Sequence, residues 1–173
     1  MNNENANSTS IESSFFTSSA NILDHWMGHR RVTRRVIEAF PEDKLFDYSI
    51  GGMRPFAEMV KEIIDISGPG IRGIVTENWE NTGGFAAHTI DEKHRSKESL
   101  LKLLDEGTAE INAHWPQLTQ ERFQEHVNAF GQYEGIVFST VLYFIDNEIH
   151  HRAQGVVYLR SLGIEPPAFW NRD

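Results

Sequence analysis

Apolar residues recur along most of this chain in steps of three and four, the interval that keeps side chains on one face of a helix. Ile22, Trp26, His29, Thr33, Val36, Ile37 and Phe40 follow it and predict a first helix from about Ala20 to Phe40, stopped by Pro41. Arg30, Arg31, Arg34 and Arg35 fall mostly on the opposite face. Residues 41–54 read as a connection rich in glycine and charge. Pro55 then opens a second helix, at a position where its missing N–H costs nothing, and Phe56, Met59, Val60, Ile63 and Ile66 form the apolar stripe. Gly68-Pro69-Gly70 is expected to end or kink that helix, with Ile71 to about Trp79 as a further helical piece and Asn81 to Gly84 as a loop.

Ser96 suits the N-cap of a third helix from about Lys97 to His114, whose apolar face is Leu100, Leu101, Leu103, Leu104 and Ile111. No period persists through residues 116–133, and Gly131 breaks any helix there. A fourth helix is expected from about Tyr133 to Leu162, with Val137, Val141, Phe144, Glu148, His151, Gly155, Tyr158 and Leu162 on one face and Gly163 as its terminator. Pro166 and Pro167 prevent continuation, and the tail Ala168-Phe169-Trp170 is apolar enough to pack back on the domain. Alternation with period two is scarce, so strands are not expected. The pattern predicts an all-α four-helix bundle with extra short helical segments. Residues 1–15 read as a flexible N-terminal arm, Asn- and Ser-rich at its start, with Phe15 and Phe16 packing its end. Residues 16–173 read as a single domain.

Composition narrows the functions open to such a bundle. Hydrophobic residues make up 39% of the chain, including 11 Phe and 4 Trp, enough to fill one core. The net charge of -9 argues against nucleic acid, whose phosphates demand a positive surface, and equally against docking on anionic lipid. Cysteine is absent, which removes disulfides, thiolate metal sites and a Cys nucleophile. The first residues carry neither the basic nor the apolar region of a signal peptide, and no apolar run approaches the roughly 18 residues of a membrane span. The expectation is a cytoplasmic protein.

The fourth helix breaks its own apolar stripe with Asp146-Asn147-Glu148-Ile149-His150-His151-Arg152-Ala153-Gln154. Buried polar groups are costly without partners, so this break needs an explanation. Adjacent helix positions point about 100° apart, which turns His151 inward with Phe144 and Tyr158 and leaves His150 at the flank. Asn147 and Glu148 each pair with His151 at helical spacing. On the second helix, Glu62 lies between Met59 and Ile66 and also edges toward the core. Glu62 facing His151 and Asn147 reads either as an N/O site for zinc, nickel, iron or manganese, or as a buried carboxylate–imidazole pair. His29, Glu148, His150 and Gln154 are the further candidates to line such a site.

These residues carry a resemblance. His150-His151-Arg152-Ala153-Gln154 and the following Tyr-Leu-Arg-Ser-Leu-Gly resemble the His-x-x-x-His-Arg-x-Gln signature of the DinB/YfiT-like superfamily. The surroundings of Trp26, the Arg54-Pro55-Phe56 start of the second helix and the overall length agree, over roughly residues 20–165. The resemblance implies a four-helix bundle, commonly a homodimer, with a metal held by three His, one from the second helix and two from the fourth. It implies thiol-dependent transfer as the activity of some members. In this chain Glu62 stands at the first ligand position and Asn147 at the second, and His151 keeps the third.

Other patterns read as structural. His25 and His29 are four apart but lack an acidic partner at matching spacing. Arg152 reads as a surface ion pair or a structural group at the helix end. His88, His94, His114 and His126 fall in loops or at helix ends, and Glu148-x-x-His151 lacks the second motif that a di-iron bundle needs. The Gly pairs lack a phosphate-loop pattern, and no organic cofactor is expected. Two functions follow: a divalent-metal protein performing thiol transfer or hydrolysis on a small molecule, or a non-catalytic dimeric bundle that binds a small ligand or partner, with His151 and Glu62 as a structural pair.

Overall fold

The computed structural model describes residues 17–80 and 88–173. Phe15, Phe16, the N-terminal arm and the loop at Asn81–Gly84 lie outside the described residues. Five helices follow in chain order: α1 (Ser19–Ala39), α2 (Glu42–Asp47), α3 (Phe56–Thr76), α4 (Lys97–His114) and α5 (Val137–Ser161). The four long ones form the bundle. α3 packs against both α4 and α5, and α1 against the same two. α2 lies within the stretch expected as a connection and packs on α3. Ser18 caps α1 by accepting from the Asn21 amide, and Ser96 caps α4 by accepting from that of Ser99. Among the described residues no helix is long and apolar enough to cross a membrane.

Three features differ from the sequence expectation. α3 runs unbroken from Phe56 to Thr76 through Pro69. The flanking glycines explain why. A Cβ on Gly68 would press on the Gly107 backbone of α4, and one on Gly70 would lie 2.6 Å from the Phe144 ring of α5. These glycines admit two neighbouring helices, and the burial so gained outweighs the roughly 3 kcal/mol that an internal proline costs. Second, strands do form. β1 (His126–Ala129) and β2 (Tyr133–Ile136) pair antiparallel, with His126 opposite Ile136. Phe130 and Gly131 both take positive φ between them, the backbone of a tight hairpin turn. α5 therefore begins at Val137 and not near Tyr133. Third, the tail does not bury its aromatics: Phe169 is 61% and Trp170 74% exposed. The main chain after them is what is held, because Arg31 and Arg35 of α1 donate to carbonyls of Asn171, Arg172 and Asp173.

The core divides into two apolar clusters. One gathers Val36, Phe40, Phe56, Val60, Leu104 and Tyr158, and the other Trp26, Ile71, Ile111, Trp115, Val141 and Phe144. Along α1, α3 and α5 polar residues lie between them: His29, Arg30 and Thr33; Glu62 and Asp65; Asn147, Glu148, His151 and Arg152. A polar layer thus crosses the middle of the bundle.

Candidate functional site

The layer holds two separate polar clusters, because successive residues of α5 point to different neighbours. Asn147 and His151, one turn apart, face α3. Glu148 and Arg152, the next residues on, face α1.

The α3 side joins the three residues that the sequence selected. Asn147 Nδ2 donates to Glu62 Oε1 at 2.9 Å, and His151 Nε2 lies 3.0 Å from the same oxygen. The other end of each side chain is held from behind. Arg54 Nη2 donates to Glu62 Oε2 at 2.5 Å. His151 Nδ1 lies 2.9 Å from Gln154 Oε1, whose own amide N–H reaches Met53 Sδ. Tyr158 donates to the Arg54 carbonyl at 2.9 Å, which fixes the segment that delivers Arg54. The hydrogen bond from His151, supported by those from Arg54 and Asn147, outweighs burial and holds the Glu62 carboxyl well below the usual carboxylate range. One atom is left over: Asn147 Oδ1 is buried and has no hydrogen-bond partner.

That orphan bears on whether the residues suit a metal. Among the described residues no three of His, Cys, Asp and Glu cluster as a metal site. The donor set on offer is one carboxylate oxygen, one imidazole nitrogen and one amide oxygen, of a kind that zinc, nickel, iron and manganese accept. Glu62 and His151 each have an outward atom held by a neighbour, which is how metal ligands are oriented. A half-turn of the Asn147 carboxamide exchanges Nδ2 for the unpartnered Oδ1. The set fits a divalent cation, with less negative charge and a weaker third donor than three His would bring.

The α1 side is a different kind of cluster. Glu148, fully buried, accepts from Trp26 Nε1 at 2.9 Å and from Thr33 Oγ1 at 2.6 Å, and Arg30 Nη2 lies 3.3 Å from its Oε2. Arg30 was expected on the outer face of α1 but is 3% exposed, with its guanidinium 5.8 Å from the Trp26 ring centre. Burial lowers its pKa, and Glu148 partly restores it. Arg152 is not at the surface either: it is 5% exposed and donates to the His29 carbonyl and to His29 Nδ1, both at 3.0 Å. An Arg can only donate, so His29 Nδ1 offers its lone pair and the ring proton sits on Nε2, 3.2 Å from His25 Nε2. His29 Nε2 is thereby closed to a metal. Burial first, then Arg152, Arg172 and His25, lowers the His29 pKa to about 3.

Of the four further candidates, Gln154 alone makes a described hydrogen bond to the Glu62 cluster. Glu148 and His29 belong to the α1 cluster, and His150 is exposed with its ring beside that of His151. Arg54 is the residue that sequence reasoning did not select. The signal was its place just ahead of α3, eight residues before Glu62.

Comparison with known proteins bears on the fold. The profile described as the DinB family matches residues 1–172. The crystal structure of a DinB-like protein from Bacillus subtilis, YjoA, aligns with a TM-score of 0.67 and 22% identity, over 86% of this chain and 97% of that one. A DinB-like protein from Bacillus cereus aligns with a TM-score of 0.65 and 14% identity, over 89% of this chain and 99% of the other. No curated protein matches the sequence.

Proposed function

The chain belongs to the DinB family, and on that premise we propose that it is a divalent-cation-binding member whose site is Glu62, Asn147 and His151. The observation that carries this reading is the orphaned Asn147 Oδ1, a buried acceptor one side-chain contact away from Glu62 Oε1 and His151 Nε2. A buried acceptor without a donor costs about 1–3 kcal/mol, and a cation would use that acceptor once the half-turn has moved Nδ2 to the other side of the carboxamide. When bound, the cation would lower the pKa of a coordinated water or thiol, the chemistry of hydrolysis or thiol transfer on a small molecule.

The residues of the chain take distinct parts in this reading. Glu62 supplies the negative charge, and Arg54 on Oε2 keeps Oε1 turned inward. Gln154 orients His151 through Nδ1, so that Nε2 is the ring atom left to face Glu62 and Asn147. Asn147 supplies the third, neutral donor. The hydrogen between His151 Nε2 and Glu62 Oε1 has to leave before either atom can ligate.

The competing reading is a metal-free polar pair, favoured by the ion pair with Arg54 that already compensates Glu62. Metal analysis of untagged protein separates the two. After addition of zinc, nickel or manganese and removal of the excess, about one ion per chain is expected, lost in His151→Ala and Glu62→Gln and kept in His150→Ala. A content near zero in the wild type with all three metals contradicts the cation site and leaves the polar pair.

A further inference from the structure

A second site stands apart from the polar layer, where the hairpin meets the start of α5. A cavity of about 260 Å³ opens there, lined by Phe130, Tyr133, Glu134, Thr140, Tyr143 and Phe144 among others. Three of its aromatic rings are steeply inclined to one another in two pairs. The Phe130 and Phe144 rings are 6.1 Å apart at 69°, and those of Tyr143 and Phe144 6.4 Å apart at 66°. Tyr143, one of these aromatics, is 53% exposed. Phe144 by contrast is fixed: it is 1% exposed and seated against Gly70.

From this geometry we infer a binding site for a small organic cation of the methylated-ammonium class. Several aromatic rings line one cavity, and a tetraalkylammonium is attracted to ring faces without the hydrogen bonds that an apolar wall cannot supply. Glu134 adds a carboxylate, and neither Lys nor Arg is among the described lining residues. The positive end of α5 lies alongside and would favour an anion, but it amounts to roughly half a charge against the full charge of Glu134. Its first amide, Val137 N–H, is also already taken by the Glu125 carbonyl. The chain as a whole carries a net charge of -9, which further favours a cation. The site shares no residue with the Glu62 cluster and does not depend on a metal there.

Three probes of nearly the same shape test the assignment: choline, the neutral neohexanol and the anionic tert-butylacetate, each titrated calorimetrically into the full-length protein. Choline is expected to bind saturably and at least about tenfold more tightly than either analogue. Glu134→Gln and Tyr143→Ala should each weaken it about fivefold or more, whereas Tyr143→Phe, which keeps the ring, should not. Both positions are exposed, so the melting temperatures of these variants should match the wild type. Equal binding of choline and neohexanol, tighter binding of the anion, or no saturable choline binding in the tens-of-millimolar range would each overturn the inference. So would an unchanged affinity in both Glu134→Gln and Tyr143→Ala.

Discussion

Glu148 shows how the chain uses a buried charge at the scale of one residue. It has no exposed surface, and its carboxylate answers Trp26, Thr33 and Arg30 together. Removing one partner of such a pair leaves the other uncompensated, a cost of about 3–5 kcal/mol. Glu148→Gln should therefore lose stability of that order in urea denaturation, with much less lost when Arg30→Met is combined with Glu148→Gln, which keeps an amide oxygen as acceptor. A full loss in the double variant would show that the charges themselves are not what matters. His29 supplies a pH signature for the same cluster. Its pKa is lowered from 6.5 to about 3 in the fold, so folding requires the neutral ring. Its contribution is complete above pH 6.5 and is lost as pH falls toward 3, with a slope approaching about 1.4 kcal/mol per pH unit. His29→Asn should flatten stability against pH across that window, and an unchanged curve would contradict the assignment. The sequence signalled the inward turn of His151 and Glu148 through helical spacing alone. It could not show that Arg30 is buried, because an arginine beside an apolar stripe points either way until its partner on another helix is known.

Glycine sets the fit at the scale of elements. Gly155 of α5 lies on the Phe56 ring of α3, which stacks in turn on Phe40, and a Cβ there would fall well inside van der Waals contact with Phe56. Gly107 of α4 has its nearest neighbour, Ile64 Cγ2, 4.0 Å from an added Cβ. Gly155→Ala should therefore cost about 1–3 kcal/mol through overpacking, and Gly107→Ala should gain about 0.5–1 kcal/mol from helix propensity. Equal effects at the two sites, read from denaturant midpoints, would sink this account of the packing. The long helices were legible because each carries a stripe long enough to repeat: the whole expected stripe of α5 from Val137 to Tyr158 is buried. The hairpin was not legible, since four-residue strands allow hardly any alternation and His126 and Tyr133 are no signature of a buried face. The passage of α3 through Pro69 was hidden for a related reason. Gly68 and Gly70 look like breakers in sequence and become contact points only when α4 and α5 lie against them.

The whole molecule is a DinB-family bundle in which a polar layer separates two apolar clusters, and the candidate chemistry lies in that layer. The bundle brings Glu62 to Asn147 across 85 residues of sequence, and to His151 one turn further on, and α5 divides its polar residues between α3 and α1. Sequence spacing and the family resemblance together pointed to that trio. Gln154, which holds His151 from behind, was among the candidates read from the sequence, and Arg54, which holds Glu62, emerged from the fold. Anomalous diffraction from a crystal of the untagged protein soaked in nickel tests the central claim most directly. The account predicts a single strong peak bonded to Glu62, Asn147 and His151 at roughly 2.0–2.2 Å, with Arg54 still on the outer oxygen of Glu62. A site left without a peak, or a peak only at His25 and His29, would contradict it.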